Sequence, residues 1–280
     1  MEITRDSTQK EYVAKNNPGV RDCDYIHKCG QRKLLISEID FLTKYSNLSE
    51  TVVYIGAAPG NHINLLISLF PEIKCWILYD PLPIRVFHPK AQIHNTLMTI
   101  EEAEKYDGKN CLLISDIRSY ERNQGKVPPD VANKTIIKDM KLQKEIVRAG
   151  GFVMSSLKFR LPWDNGDTLY YKGKLYTTPW LGEYSPELRL YTDGQLVHTY
   201  HNKVIDNQMY YYNTVNRRCK YQNIFEQHHM EHDYLDQLLE LNIIENYLIT
   251  ICDVEPEDAE EEAIVFIKKY CDVIKASPEH

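Results

Sequence analysis

Residues 51–62 read TVVYIGAAPGNH, and residues 63–70 continue directly as INLLISLF. The β-branched and aromatic start predicts a buried strand, the small residues predict a tight turn, and the apolar spacing that follows predicts a helix. Gly56 and Gly60 allow the backbone to turn sharply and to approach a bound group closely. Because loop amides ahead of a helix face polar or anionic groups, this stretch predicts a ligand loop in an α/β fold.

The spacing of the turn narrows the class of ligand. A dinucleotide loop requires G-x-G-x-x-G and a phosphate loop ends in Lys-Ser or Lys-Thr, and this turn has neither pattern. The G-x-x-P-G spacing favours a methionine nucleoside such as S-adenosyl-L-methionine over a pyrophosphate. A dinucleotide oxidoreductase is disfavoured, because no hydride-handling set of residues accompanies the turn. A strand-turn-helix that binds no ligand is the alternative.

Length and composition predict one domain. With 280 residues, of which 43% are hydrophobic and 26% charged, the chain can form a single α/β core. We expect one domain over 1–280, with a core at about 30–215 and a helical extension at about 216–280. The chain has no apolar run long enough to span a membrane and its first residues are polar, so we expect a soluble, non-secreted protein.

The charge and the cysteine content argue against a general nucleic-acid-binding protein and against a disulfide-bonded protein. A net charge of −7 argues against nucleic-acid binding over the whole surface but permits a local basic groove. The seven cysteines are scattered, without a C-x-x-C pair, which indicates reduced thiols in a cytosolic setting.

Strands and helices alternate through the middle of the chain. This alternation predicts a doubly wound sheet with right-handed crossovers. The expected strands after residue 55 are 75–80, 110–116, 152–160, 175–180 and 187–191, a helix is expected over 128–149, and the chain is expected to be mostly helical from about 205.

Four charged residues stand at positions where such a sheet would bring them together: Lys33, Asp116, Lys158 and Glu187. Strand ends converge on one rim, which is where open α/β sheets bind ligands. Methylation of a ribose hydroxyl requires a base, and a desolvated lysine beside another cation has a lowered pKa that suits this task. The alternative is that these residues are ordinary solvated charges.

Five segments carry a resemblance to a known family: GQRKLL (30–35), YIGAAPGNH (54–62), LISDIRS (113–119), SSLKFR (155–160) and YSPELRL (184–190). They resemble the poxvirus cap-specific mRNA 2′-O-methyltransferases, which also serve as small stimulatory subunits of the viral poly(A) polymerase. More widely, they resemble the FtsJ-like RNA ribose methyltransferases. The resemblance implies a Rossmann-like S-adenosylmethionine-dependent methyltransferase fold, with a doubly wound, mostly parallel sheet and helical N- and C-terminal extensions.

The resemblance also implies roles for individual residues. Lys33, Asp116, Lys158 and Glu187 match the family's catalytic tetrad, with Lys158 as the general base. Asp80 would bind the cofactor ribose, although Leu82 stands where the family has an arginine. The residues expected around S-adenosyl-L-methionine are Gln31, Tyr54, Gly56, Gly60, His62, Asp80, Leu97, Met98 and Asp116.

The family stacks the methylated guanine of the cap between aromatic rings and reads its edge with acids. The matching positions here are Arg160, Trp163, Asp164, Tyr184 and Asp206. A positively charged purine stacks well on electron-rich rings, and a carboxylate accepts from its N–H groups. The implied partners are capped mRNA and a poly(A) polymerase catalytic subunit, with no membrane, and the implied location is the host cytoplasm or the virion.

Other functions stay open on sequence grounds. The chain could be a non-catalytic RNA-binding or polymerase-stimulating subunit, or a cap-independent RNA ribose methyltransferase. Lysines at helical spacing over 134–148 fit a solvated face better than an RNA surface. Arg217, Arg218 and Lys220 are candidates for phosphate contacts, and His228, His229 and His232 fit a surface helix better than a metal site.

Overall fold

The computed structural model describes residues 1–13, 29–119, 129–181, 184–217 and 236–276. Arg218, Lys220 and the three histidines at 228–232 lie outside these ranges. The strands are β1 (Glu2–Ile3), β2 (Thr51–Ile55), β3 (Cys75–Tyr79), β4 (Ala91–His94), β5 (Leu112–Ser115), β6 (Met154–Phe159), β7 (Asp167–Tyr171), β8 (Lys174–Thr177), β9 (Leu188–Thr192) and β10 (Val197–His201). The helices are α1 (Cys29–Tyr45), α2 (Ile63–Leu69), α3 (Ile100–Glu104), α4 (Pro129–Gly150), α5 (Asn202–Tyr211), α6 (Gln237–Ile251) and α7 (Ala259–Ala276).

Eight strands form one sheet in the order β1-β8-β9-β6-β5-β2-β3-β4. The five strands from β6 to β4 are parallel to one another, whereas β9, β8 and β1 pair antiparallel. The α/β class and the mostly parallel sheet predicted from the sequence are confirmed. The helix expected on the N-terminal side, which carries Lys33, is α1, and Glu2–Ile3 before it pairs with β8 as an edge strand.

Side chains alternate between two cores, one on each face of the sheet. On β2, Val52 and Tyr54 belong to one buried cluster, while Val53 and Ile55 belong to the other. Strands that are buried on both faces read as continuous apolar runs, which is why residues 51–55 gave a clear signal. Ile244 of α6 and Ile267 of α7, at the C-terminal end, lie in the same cluster as Val52.

The strand order shows at which edge of the sheet a ligand is expected to bind. The chain moves outward from β2 through β3 and β4, and in the other direction through β5 and β6, so the order reverses between β2 and β5. Ligands of open α/β sheets bind at such a reversal, beyond the carboxyl ends of the strands. Because β9 runs antiparallel to β6, with Lys158 opposite Arg189, the start of β9 reaches the same rim.

Some predicted boundaries differ from the structure. The strand expected over 175–180 ends at Thr177, and Trp180 has a φ of 52°. The separate two-stranded sheet of β7 and β10 was not predicted, and a π-helical turn, Tyr212–Asn216, continues α5. Within the described part of the chain, none of the helices combines the length and the apolar character that a membrane crossing requires.

Candidate active site

The structure brings the four tetrad residues together at the carboxyl rim. Lys158 Nζ donates to Asp116 Oδ1 at 2.9 Å and lies 3.6 Å from Glu187 Oε2. Lys33 Nζ, from α1, donates to the other oxygen of Glu187 at 2.6 Å. Both carboxylates therefore orient the Lys158 amine, which is 10% exposed and thus desolvated but still reachable from solvent.

Two arginines that were not predicted complete the cluster. Arg189 Nη2 donates to Asp116 Oδ1 at 2.6 Å, and Arg118 Nη2 donates to Glu187 Oε2 at 3.2 Å. Four cations thus face two carboxylates, an excess of positive charge that suits a developing oxyanion. The sequence carried a signal for Arg189, because residues two apart in an extended segment point to the same face and Arg189 follows Glu187 by two.

The charges in this cluster shift one another's proton affinities. Burial lowers the pKa of Lys158 to about 8, in spite of the opposing pull of Asp116 and Glu187. Burial by itself would raise the pKa of Asp116, but Lys158 and Arg189 outweigh it and hold that pKa well below its ordinary value. The cluster therefore holds ionised carboxylates beside a lysine that loses its proton near neutral pH.

Gln143, a buried residue of α4, holds two of the strand ends in place. Ser115 Oγ, at the end of β5, donates to Gln143 Oε1 at 2.5 Å, and Gln143 Nε2 donates to the backbone oxygen of Lys158 at 3.1 Å. One amide thus fixes the spacing of β5 and β6, which carry Asp116 and Lys158. No sequence pattern indicates this residue, because its partners are distant along the chain.

The glycine loop approaches the tetrad closely. Gly56 has a φ of +79°, and a Cβ at this position would lie 2.8 Å from the backbone carbon and oxygen of Asp116. Gly56 N also donates to Tyr79 O at 2.9 Å, and Gly60 has a φ of +75°. Only glycine satisfies both the left-handed backbone and the close approach at position 56.

Asp80 closes the other side of this loop. Its Oδ2 accepts from Ala58 N at 3.0 Å and its Oδ1 accepts from Leu82 N at 2.8 Å. A carboxylate has about four acceptor positions, so about two remain for a pair of ribose hydroxyls. The free acceptor positions of Asp80, at the end of β3, therefore fit the ribose hydroxyls of S-adenosyl-L-methionine.

Three of the expected cofactor residues form a buried network around Glu38, which was not predicted. Tyr54 Oη donates to Glu38 Oε1 at 2.5 Å, and His62 bonds to Glu38 Oε2 at 2.9 Å and to Gln31 Oε1 at 2.8 Å through its two ring nitrogens. The side chains of Tyr54 and His62 are buried. They shape the wall behind the loop, and Gln31 is the more accessible member.

Leu97 and Met98, both expected around S-adenosyl-L-methionine, are placed differently from each other, and Leu82 stands where the family has an arginine. Leu82 and Leu97 are 64% and 62% exposed, whereas Met98 is buried in the core cluster beneath α3 and α4. Leu97 therefore offers its side chain at the surface, but the Met98 side chain is directed into the protein.

A second group of the expected residues forms an aromatic pocket next to the tetrad. Tyr12 stands edge-on to Tyr184 at 6.2 Å and to Tyr210 at 5.3 Å between ring centroids. Its backbone N donates to Asn207 Oδ1 at 3.1 Å, which ties the N-terminal segment to α5. The pocket is lined by Tyr12, Trp163, Tyr184, Ser185, Pro186, Asp206, Met209, Tyr210 and Asn213.

Asp206 presents a carboxylate oxygen to this pocket. Its Oδ1 is buried and has no hydrogen-bond partner among the described residues. Burial raises the pKa of Asp206 to about 7, although Lys203 and Arg160 oppose the change. A buried carboxylate oxygen without a donor is costly, so it suits a ligand that brings N–H groups.

Arg160, Asp164 and Arg217 differ in how they relate to the pocket. The Arg160 guanidinium lies 4.2 Å from the centroid of the Trp163 ring and covers that ring face. Asp164 does not line the pocket; its Oδ1 accepts from Gly166 N and from Asn202 Nδ2. Arg217 is only 2% exposed and pairs with Asp236, so the phosphate contact considered for it is excluded.

Comparisons with known proteins show which family the chain is similar to. The family described as poly A polymerase regulatory subunit matches residues 3–275. The cap-specific mRNA (nucleoside-2′-O-)-methyltransferase of fowlpox virus (strain NVSL) is 33% identical over 180 residues, which are 58% of this chain and 56% of the relative. The enzyme of the same name from myxoma virus (strain Lausanne) is 29% identical over 178 residues, 58% of this chain and 51% of the relative.

The chain spans about half the length of the curated relatives it matches. A solved structure of bluetongue virus VP4, a multifunctional RNA-capping protein, is 17% identical, covers 73% of this chain and 34% of its own, and superposes with a TM-score of 0.49. Because the family match extends from residue 3 to residue 275, this chain belongs to the poly A polymerase regulatory subunit family.

Proposed function

We propose that this protein transfers a methyl group from S-adenosyl-L-methionine to the 2′-hydroxyl of the first transcribed nucleotide of capped mRNA. The observation that carries the proposal is the Lys158 amine, desolvated and 2.9 Å from Asp116, on a rim shared with the glycine loop and the aromatic pocket. A methyl donor, a base and a pocket for a flat cationic ring are the three parts that this reaction requires.

The residues divide the chemistry among them. The bound cofactor supplies a sulfonium methyl group, which forms a bond to the ribose oxygen as its bond to sulfur breaks. Neutral Lys158 accepts the hydroxyl proton, and Asp116 and Glu187 hold its Nζ in position. Lys33, Arg118 and Arg189 stabilise negative charge that develops on the oxygen.

The test uses short capped and uncapped RNAs of the same sequence with labelled S-adenosyl-L-methionine. We expect transfer to the capped RNA only. No transfer to either RNA, despite cofactor binding, would contradict the enzyme and favour a non-catalytic binding subunit. Equal transfer to both would favour a cap-independent RNA ribose methyltransferase.

The pH dependence follows from the Lys158 pKa of about 8. Protonated Lys158 cannot accept a proton, so kcat/KM for the methyl donor at saturating capped RNA is expected to rise with pH and to level off above about 8. Lys138→Met, at an exposed lysine of α4, serves as the control and is expected to keep this profile. A profile that stays flat through this range would contradict Lys158 as the base.

Cap recognition is expected to depend on Asp206. Asp206→Asn removes a charged acceptor from the pocket, so the affinity for N7-methylguanosine triphosphate should fall about 10- to 150-fold, the range for hydrogen bonds to charged groups. Binding is measured by quenching of tryptophan fluorescence, with GTP as the unmethylated control.

The same measurement has a pH signature. Because the pKa of Asp206 is raised to about 7, the unmodified protein loses this carboxylate below that pH. The ratio of the two dissociation constants, Asp206→Asn over unmodified, is therefore expected to shrink towards one at acidic pH. Proton loss by the ligand affects both proteins equally and cancels in the ratio. A ratio that does not change with pH would contradict this role.

We also propose that a poly(A) polymerase catalytic subunit is a partner, which the family description supports. This role is compatible with the methyl transfer proposed above. The ordered tetrad argues against binding as the only function, since a pure binding subunit would not require it. Co-purification with a polymerase catalytic subunit, followed by measurement of poly(A) tail length with and without this protein, tests it. The cytoplasmic location implied by the resemblance and the single domain over 1–280 stay predictions.

A further inference from the structure

One short segment carries parts of both sites. The described residues 180–181 and 184–187 include Tyr184, in the wall of the aromatic pocket, and Glu187, in the tetrad. A shift of this segment would therefore move the ring that faces the cap and the carboxylate that orients Lys158 at the same time. The contacts that hold this segment therefore determine the position of the aromatic pocket relative to the tetrad.

The segment is held from its interior side by two residues distant in sequence. Trp180 N donates to Asp236 Oδ2 at 2.6 Å, and Arg217 Nη1 donates to Leu181 O at 2.5 Å. Arg217 Nε also donates to Asp236 Oδ1 at 3.1 Å, so the two side chains form an ion pair that bonds to backbone groups of two consecutive residues, Trp180 and Leu181.

Asn213 connects the ion pair to a further residue of the segment. Its Nδ2 donates to Ser185 O at 2.9 Å, and Arg217 Nη1 lies 3.4 Å from its Oδ1. Asn213 and Ser185 both line the aromatic pocket. The ion pair is thus connected through one side chain to the pocket wall.

Burial and backbone conformation show that this arrangement is constrained. Arg217 and Asp236 are 2% and 0% exposed, and Trp180 adopts a φ of 52°, which is rare for a bulky residue. Replacement of a buried ion pair by apolar residues of similar volume is often neutral for stability. Folding stability is therefore not the only role that this pair can have, since it also bonds to Trp180 N and to Leu181 O.

We propose that Arg217 and Asp236 are positioning residues, which fix residues 180–181 directly and residues 184–187 through Asn213, so that the cap pocket and the tetrad act on one RNA. The inference rests on the proposed function. It assigns a catalytic consequence to two residues that touch neither substrate nor cofactor, and it makes the start of α6 part of the site.

The test separates positioning from stability. The double variant Arg217→Met/Asp236→Leu removes both charges but keeps an apolar filling, and Asp236→Asn serves as the milder second variant if the double variant does not fold. Ile267→Ala, in the buried face of α7, is the control, because it weakens the core through a side chain that makes no hydrogen bond to the segment. Each protein is assayed below its own Tm for S-adenosyl-L-methionine affinity, for N7-methylguanosine triphosphate affinity and for kcat.

We expect the pair variants to bind the cap analogue about tenfold more weakly and to lose about tenfold or more in kcat, since small misplacements are costly in catalysis. The cofactor affinity should change by less than about twofold, since the glycine loop is held by other contacts. Ile267→Ala should lower Tm but leave cap affinity and kcat unchanged. Unchanged cap affinity and kcat in the pair variants would overturn the inference. Failure of the unmodified protein to bind the cap analogue would instead overturn the proposed function on which it rests.

Discussion

Lys158→Met is expected to lower kcat for methyl transfer by about 10²- to 10⁴-fold, the range that a positioned general base contributes. Methionine has a similar length but no amine. The variant therefore lacks the nitrogen that lies 2.9 Å from Asp116 in the unmodified protein, and no base accepts the proton of the ribose hydroxyl. The aromatic pocket and the glycine loop do not include Lys158. The affinities for the cap analogue and for the cofactor should therefore change by less than about threefold.

Single-turnover kinetics with capped RNA measure this effect, because they separate chemistry from product release. Lys138→Met removes an exposed lysine from the adjacent helix and is expected to retain the unmodified rate. If Lys158→Met retained a rate within about fivefold of the unmodified protein, positioning alone would account for catalysis and Lys158 would not be the base.

Gly56→Ala is expected to lower turnover by about 10²-fold or more, because a displacement of about 1 Å in a catalytic group can reduce the rate by this factor. The new Cβ would lie 2.8 Å from the backbone of Asp116, and this backbone cannot yield without moving the carboxylate that holds Lys158. Alanine held in the left-handed backbone of position 56 would also cost about 1–2 kcal/mol in folding. Turnover and the free energy of unfolding are measured together.

The chain offers a matched control for this change. Gly108 has a φ of +71°, close to that of Gly56, but a Cβ there meets no atom within 4 Å. Gly108→Ala should therefore show the conformational cost of about 1–2 kcal/mol without loss of turnover. Equal turnover in the two variants would contradict the claim that the close approach of Gly56 to Asp116 sets the site.

The main elements of the site could be predicted because their signals are local. The run at 51–55, the glycines that follow it and the acids that end strands each reveal an element and its ligand-facing end within a few residues. Asp116 and Lys158 meet because parallel neighbouring strands end on one rim. The family that the five segments resemble is confirmed by the match over residues 3–275.

The parts that could not be predicted depend on contacts between distant residues. Tyr12 reaches the aromatic pocket because two neighbouring residues of α5, Asn207 and Gln208, bond to the N-terminal segment. Glu38 lies beneath the glycine loop because α1 packs across the sheet, and no spacing in the sequence indicates that Tyr54 and His62 share its carboxylate. Such contacts follow from the packed structure rather than from any periodicity.

The ribose hydroxyl that accepts the methyl group decides whether this protein is the cap-specific methyltransferase proposed above. Capped RNAs that carry a 2′-deoxyribose at either the first or the second transcribed nucleotide are incubated with labelled S-adenosyl-L-methionine. The account predicts that the first substitution abolishes transfer and that the second leaves it unchanged. Transfer to the RNA with a 2′-deoxyribose at its first nucleotide would contradict the account.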